Sequence, residues 1–212
     1  MIDITQQEYM LTAMGKLLAR KIEVYAIGGT AMMFLGIKNS TLDIDLVFDK
    51  KKDRDEFINA LKKLGAKESD VTLVYGLKNN TPLMLEFEKC RFDMFMNKVI
   101  TSTFSDEMKE RSKQTHEFGN LIIKVADSND ILTLKSVTSR TKDSQDIIAI
   151  INKKQIDWNI IIEEAKNQVK LGNVKAILQL GEVLESLSIK KAVEIPKEVL
   201  NELFKLAKKQ FN

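Results

Sequence analysis

The sequence predicts an α+β protein, with a β-rich core and flanking helices over residues 1–126 and an all-helical region over residues 127–212. Three observations carry this. Before Ala126, short apolar runs with strand-like alternation ("IEVYAI", "LDIDLVF", "LMLEFE", "CRFDMFM", "LIIKVA") recur between polar segments. After it, apolar residues return at helical spacing. Asp127 and Ser128, both good N-cap residues, stand at the changeover.

Taken in order, Thr5 to Arg20 reads as an amphipathic helix with Leu11, Met14, Leu17 and Leu18 on one face. "IEVYAI" is a strand that runs into Gly28-Gly29. "TAMMFLG" is a short apolar helix stopped by Gly36, which suits a left-handed cap. "LDIDLVF" is the next strand, and Asp53 to Leu64 the next helix. "VTLVYG", "LMLEFE" and "CRFDMFM" read as strands, the last two forming a hairpin across Glu88-Lys89-Cys90. "LIIKVA" closes the β-rich part. The helical part comprises "ILTLKSVTSRTKDSQDIIAII", "DWNIIIEEAKNQ", "NVKAILQLGEVLESL" and "PKEVLNELFKLAKKQ", with Pro196 at a first-turn position.

The composition excludes several classes. With 212 residues and 44% hydrophobic content the chain can bury a core. Thirty-three basic residues against 30 acidic leave a net charge of +3, too balanced for a chain built around nucleic-acid binding, although a local basic cleft stays open. One cysteine, Cys90, forms no internal disulfide, and one Cys with one His, His116, completes no four-ligand zinc site. No run approaches the ~20 apolar residues of a membrane span, and no signal peptide is visible. A soluble cytoplasmic protein is expected.

Two features work against packing. Glycines beside a strand are entropically costly, and aspartates are depleted from strands. Asp43 and Asp45 lie two residues apart, so a strand places them on one face about 6.5 Å apart. Two carboxylates that close repel unless a cation intervenes. Oxygen ligands without His or Cys favour Mg²⁺ or Mn²⁺, and two such ions about 3.5–4 Å apart serve in-line nucleotidyl transfer. The plain alternative is an Asp-x-Asp pair facing solvent. Gly28-Gly29-Thr30, between strand and helix, offers backbone N–H groups where a phosphate can sit. It matches neither G-x-G-x-x-G nor a Walker A loop. Asp93, mid-strand in "CRFDMFM", is the candidate third carboxylate; the alternative is that it pairs with Arg91 on the same face. Glu86 and Glu88 are rivals from the preceding strand.

The order Gly28-Gly29, Thr41-Leu42-Asp43-Ile44-Asp45-Leu46, then Asp93 resembles the DNA polymerase β-like nucleotidyltransferase superfamily. Within it the chain is similar to the AbiEii-type branch, which includes toxins of type IV toxin–antitoxin systems. The supporting segment is "ILTLKSVTSRTKDSQDIIAI", with Lys135, Arg140, Lys142, Asp143 and Asp146. The resemblance covers roughly residues 22–152. It implies a mixed β-sheet core and a metal-dependent enzyme that moves an NMP from an NTP to an acceptor. Related toxins suggest a tRNA end or a protein hydroxyl as acceptor, and an antitoxin as partner. Asp43, Asp45 and Asp93 are the expected metal and catalytic residues, with Asp93 also suited to receive the acceptor's proton. Gly28, Gly29, Thr30, Lys135 and Lys142 are the expected nucleotide-binding residues. The chain departs from the family in having Lys38-Asn39-Ser40 where an Arg is common, and Gly-Gly-Thr where Gly-Ser is common.

On one continuous helix, Lys135, Ser139, Lys142 and Asp146 share a stripe opposite Leu134, Val137, Ile148 and Ile151. Lysines there would neutralise a triphosphate; the other reading is a solvated face with a Lys142–Asp146 ion pair. Other function classes also fit the same core: a silent nucleotide-binding module, or an antibiotic-type nucleotidyltransferase with a small-molecule acceptor. His116 reads as a surface residue, and Trp158 as a packing residue at a helix start. Lys205, Lys208 and Lys209 read as a solvated face or an RNA or partner contact. Leu200, Leu203, Phe204 and Leu206 either seal the domain or support a homo-oligomer.

Overall fold

The computed structural model describes residues 1–88, 90–138 and 141–208. β1 (Ile2–Asp3) leads into α1 (Ile4–Leu17), whose N-cap Asp3 accepts from the Gln6 N–H while the Gln6 side chain accepts from the Asp3 N–H, a reciprocal capping box. There follow β2 (Ile22–Ala26), α2 (Gly28–Phe34), β3 (Ser40–Thr41), β4 (Asp43–Phe48), α3 (Lys51–Lys63), β5 (Lys67–Glu68) and α4 (Thr72–Tyr75). Next come β6 (Leu83–Phe87), β7 (Cys90–Met96), β8 (Lys98–Val99), β9 (Ser102–Thr103), α5 (Asp106–Arg111), β10 (Gln114–Phe118) and β11 (Leu121–Val125). From Ser128 the described elements are helices: α6 (Ser128–Ser136), α7 (Thr141–Lys153), α8 (Trp158–Lys170), α9 (Val174–Ile189) and α10 (Lys197–Lys208).

The main sheet runs β10-β11-β2-β4-β7-β6-β5, with β8 and β9 appended to β7. It is mixed: β11 with β2 and β4 with β7 are parallel, while β2 with β4 and β6 with β7 are antiparallel. The parity of β4 and β7 decides where chemistry is possible. Phe48 and Phe92 point to one face, where Phe57 of α3 meets both rings at 5.3 and 6.1 Å. Asp43, Asp45, Arg91 and Asp93 occupy the alternate positions and therefore the opposite face. Ile44, Leu46 and Phe92 are fully buried, so a one-residue slip would bring the aspartates into this core. The buried apolar residues form one cluster that reaches from Ile2 to Leu206. Leu203 and Leu206 belong to it, and Leu200 packs on it; Phe204 closes on Gly181, so the last helix seals the fold.

Three local expectations are corrected. "VTLVYG" is not a strand: Asp70 accepts from the Thr72 N–H at 2.8 Å and starts the single turn α4. The long helix after Asp127 is two helices: α6 ends at Ser136, Val137 and Thr138 form a turn, and α7 spans Thr141–Lys153. The strand expected over "LDIDLVF" starts at Asp43, so Leu42 precedes it and is 54% exposed. Lys89, Ser139, Arg140 and Lys209 lie outside the described residues. Among the described residues no helix is long and apolar enough to cross a membrane.

Candidate active site

Parallel pairing puts Asp45 beside Asp93 and Asp43 beside Arg91. Neighbouring strands lie about 4.8 Å apart, so three carboxylates from two strands converge on one spot. One oxygen from each of Asp43, Asp45 and Asp93 lies within 4.8 Å of the others. Glu86 and Glu88 remain outside, exposed on β6 and at the turn after it. Asp43 is 5% exposed and Asp93 fully buried. Burial of that many anions requires partners, and each has some. The Thr41 hydroxyl donates to Asp43 Oδ1 at 3.1 Å, and the Gly29 N–H to Asp45 Oδ2 at 3.1 Å. The Tyr75 hydroxyl donates to Asp93 Oδ2 at 2.7 Å.

Arg91 ties the group together. Its Nη2 lies 2.6 Å from Asp43 Oδ2 and 2.8 Å from Asp93 Oδ2, and its Nε lies 2.5 Å from Asp93 Oδ1. Asp93 thus lies in the carboxylate cluster and pairs with Arg91 as well. Burial pushes the Asp93 carboxyl above the usual range, against the pull of Arg91. Burial disfavours the Arg91 charge too, but Asp93 and Asp43 outweigh it and keep the guanidinium ionised.

The glycines are shaped to these carboxylates. Gly28 has φ +54°, and a Cβ there would lie 2.2 Å from Asp45 Oδ2. A Cβ on Gly29 would lie 2.3 Å from the Thr41 hydroxyl. The space expected for phosphate is thus partly taken by Asp45, whose carboxylate caps the first turn of α2. Thr30 is fully buried; its hydroxyl accepts from the Asp45 N–H at 2.8 Å and faces the Asp43 carbonyl. It braces the start of β4.

Lys135 of α6 comes to the same place from the helical half. It is 7% exposed and lines a cavity of about 30 Å³ with Gly28, Asp45, Tyr75 and Phe95. Its Nζ meets Asp143 Oδ1 at 3.1 Å and Asp146 Oδ2 at 2.6 Å, and Lys38 meets Asp146 Oδ1 at 2.8 Å. Burial would lower the Lys135 pKa, but Asp143, Asp146 and Asp45 raise it and keep it charged. Burial would raise Asp146, and Lys135 and Lys38 together hold it below the ordinary carboxylate range. Lys142 stands at the rim, 41% exposed in its side chain and 3.9 Å from Asp43 Oδ2. Asp146 meets Lys38 and Lys135 rather than the expected Lys142, which stands instead by Asp43, although Lys142 and Asp146 share α7.

Two features of the site escaped the sequence reading, Tyr75 and the Lys38–Asp146 contact, while Thr41 was noted only as part of the Thr41-Leu42-Asp43 motif and not as a partner of Asp43. Asp70-Val71-Thr72 carried a turn-starting signal for the first; nothing local announced the second. His116 stacks on Phe34 at 4.3 Å, away from the carboxylates. Trp158 opens α8 and packs partly buried on the core, as expected. Glu164 is buried against Arg111 with Asp130, so the helical half presents no open acidic pocket there.

Two adjacent central strands thus carry three clustered aspartates, with a glycine turn beside them, the arrangement expected of a nucleotidyltransferase. The chain belongs to the family described as "Nucleotidyltransferase of unknown function (DUF6036)", which matches residues 10–177. Two solved structures are similar in outline. One is "Crystal Structure of ANT(2")-Ia in complex with adenylyl-2"-tobramycin", at 14% identity and TM-score 0.46, covering 85% of this chain and 98% of that one. The other is the solution structure of the antibiotic-resistance factor ANT(2'')-Ia, at 16% identity and TM-score 0.45, covering 90% and 97%. No curated protein matches the chain.

Proposed function

We propose that the protein transfers a nucleoside monophosphate from an NTP to an acceptor hydroxyl or phosphate, with Asp43, Asp45 and Asp93 as its metal-binding and catalytic residues. The observation that carries this is the convergence of three carboxylates from β4 and β7 within 4.8 Å. The donor set is all hard oxygen, which fits Mg²⁺ or Mn²⁺. Bound there, such ions would supply Lewis-acid stabilisation of the charge developing on the α-phosphate.

The chain's own residues do the rest. Asp93 stands ready to take the proton of the attacking hydroxyl. The peptide edge of Gly28-Gly29 carries no side chain, so a phosphate can approach it once the Asp45 carboxylate, which now accepts from the Gly29 N–H, turns toward a bound ion. Thr30 serves this by holding Asp45 rather than by touching the nucleotide. Lys135 and Lys142 supply positive charge to the triphosphate, Lys142 from the rim and Lys135 from the cavity wall. Arg91 holds Asp43 and Asp93 at a fixed spacing and must yield part of that contact when a divalent ion enters. A cavity of about 30 Å³ has room for one or two waters. Nucleotide entry therefore displaces Tyr75 or α6.

The acceptor proposed first is RNA or protein, in an AbiEii-type, toxin-like setting with an antitoxin partner. The support is the gathering of Lys135, Asp143 and Asp146 around the site from the segment that carries that resemblance. The test incubates the protein with each α-labelled NTP, Mg²⁺ or Mn²⁺, and in parallel total tRNA, a protein extract or a cationic aminoglycoside. An Asp43→Ala/Asp45→Ala variant runs beside it. Label on RNA or protein, lost in the variant, is the expected result. Label on the aminoglycoside alone reassigns the acceptor, and transfer that survives the double substitution removes the site.

A further inference from the structure

We infer that Tyr75 is a self-nucleotidylation site, the phenol being an acceptor built into the chain. The inference rests on the nucleotidyl-transfer reading above. An acceptor hydroxyl must present its O–H to the carboxylate that takes its proton, beside the residues that bind the nucleotide. The Tyr75 hydroxyl stands in that relation, 2.7 Å from Asp93 Oδ2. Its side chain lines the cavity shared by Gly28, Asp45 and Lys135. Thr41 is the other hydroxyl on the cluster, but it is packed under Gly29, where even a methyl group would collide with it, and does not line the cavity.

The segment that carries Tyr75 is suited to delivering it. α4 is a single turn ended by Gly76 at φ +63°. Leu73 and Leu77 around it are 85% and 97% exposed, while Tyr75 is 5% exposed. Tyr75 packs edge-on to Phe95, Val71 and Val74 rest partly buried on the core, and the Lys78 Nζ donates to the Thr138 carbonyl. The rest of the segment, Thr72, Leu73 and residues 76–80, is exposed, so the turn is covered on one side only. It can give way to an incoming NTP and leave the phenol within reach, at the high effective concentration of an intramolecular group.

The step balances. The phenol oxygen attacks the α-phosphorus of a bound NTP, the O–Pα bond forms, the Pα–O–Pβ bond breaks, and pyrophosphate leaves. The phenolic proton passes to the Asp93 carboxylate and then to water. The product is a tyrosyl phosphodiester that places a nucleotide in the protein's own cleft and limits further turnover.

The test uses the full chain with Mg²⁺ and each NTP, followed by peptide mapping by mass spectrometry. Binding of Mg²⁺ with an α,β-non-hydrolysable NTP is measured in parallel. The expected result is one added nucleoside monophosphate on Tyr75, approaching one per chain, absent in Asp45→Asn and reduced at least tenfold in total label in Tyr75→Phe. Metal-dependent NTP binding with Tyr75 unmodified, or with label only elsewhere, overturns the inference and leaves the nucleotidyl-transfer reading standing. Absence of both binding and transfer to any acceptor removes that reading, and this inference with it.

Discussion

The Arg91 guanidinium lies 2.6 Å from the Asp43 carboxylate and also grips Asp93 through two further contacts, so one arginine offsets the repulsion between two aspartates on neighbouring strands. A divalent ion held at the cluster would compete for the same oxygens. Without the guanidinium, a fully buried Asp93 loses its counter-charge, which in buried pairs costs about 3 kcal/mol or more. Arg91→Met is therefore expected to melt several degrees lower in EDTA and to regain much of that loss in Mn²⁺, with a greater Mn²⁺-induced rise than wild type. Thermal denaturation with and without metal checks this. Equal melting of the two proteins in EDTA would contradict it.

The two cleft lysines differ in what they hold. Lys135 lies between buried Asp143 and Asp146, whereas Lys142 is 41% exposed and 3.9 Å from Asp43 Oδ2. Lys135→Met leaves buried carboxylates uncompensated and is expected to cost about 3–5 kcal/mol. Lys142→Met is expected to cost about 0–1 kcal/mol while weakening NTP binding several-fold. Denaturant unfolding and nucleotide titration of the two variants separate the roles.

Gly28 and Gly36 form a matched pair of tests. Both have positive φ, but a Cβ on Gly28 meets Asp45 whereas one on Gly36 meets nothing within 4 Å. Each alanine substitution carries about 1–2 kcal/mol of left-handed strain. Only Gly28→Ala also displaces a carboxylate of the cluster. Transfer activity is expected to fall at least tenfold in Gly28→Ala and to stay within about twofold of wild type in Gly36→Ala, measured well below both melting temperatures.

Cys90 begins β7, fully buried, and burial together with the nearby carboxylates pushes its thiol up to about 12. Its ordinary value is 9.0. The raised value means the folded state keeps the proton where an unfolded chain loses it, so the associated stability is full below pH 9 and declines as pH rises towards 12. At pH 9 a disulfide reagent should leave Cys90 untouched in the native protein and label it promptly in denaturant. Rapid native labelling would show that β7 is not packed as described.

Much of the site was legible because its residues are anomalies. Aspartates at alternate positions of an apolar strand have no packing explanation, and Asp93 repeats the anomaly on a second strand, so the sequence alone points to all three. Which strands adjoin was not legible locally; it depends on the β4–β7 register, and only that register shows Arg91 reaching Asp43. The glycine pair announced a close approach but not what approaches, and the answer is Asp45 and Thr41 as much as any ligand. Tyr75 was hidden because "VTLVYG" has strand-like composition, and a single Asx-type contact from Asp70 turns it into a helical turn. The break between α6 and α7 was hidden because apolar periodicity continues across it.

The central claim is that Asp43, Asp45 and Asp93 form one divalent-cation site that drives nucleotidyl transfer. Mn²⁺ binding, followed by electron paramagnetic resonance in wild type and Asp45→Asn, tests it most directly. The account predicts Mn²⁺ binding strengthened by NTP in wild type and weakened at least tenfold in Asp45→Asn, in a variant that keeps its fold by circular dichroism. Equal Mn²⁺ affinity in the two proteins would contradict it.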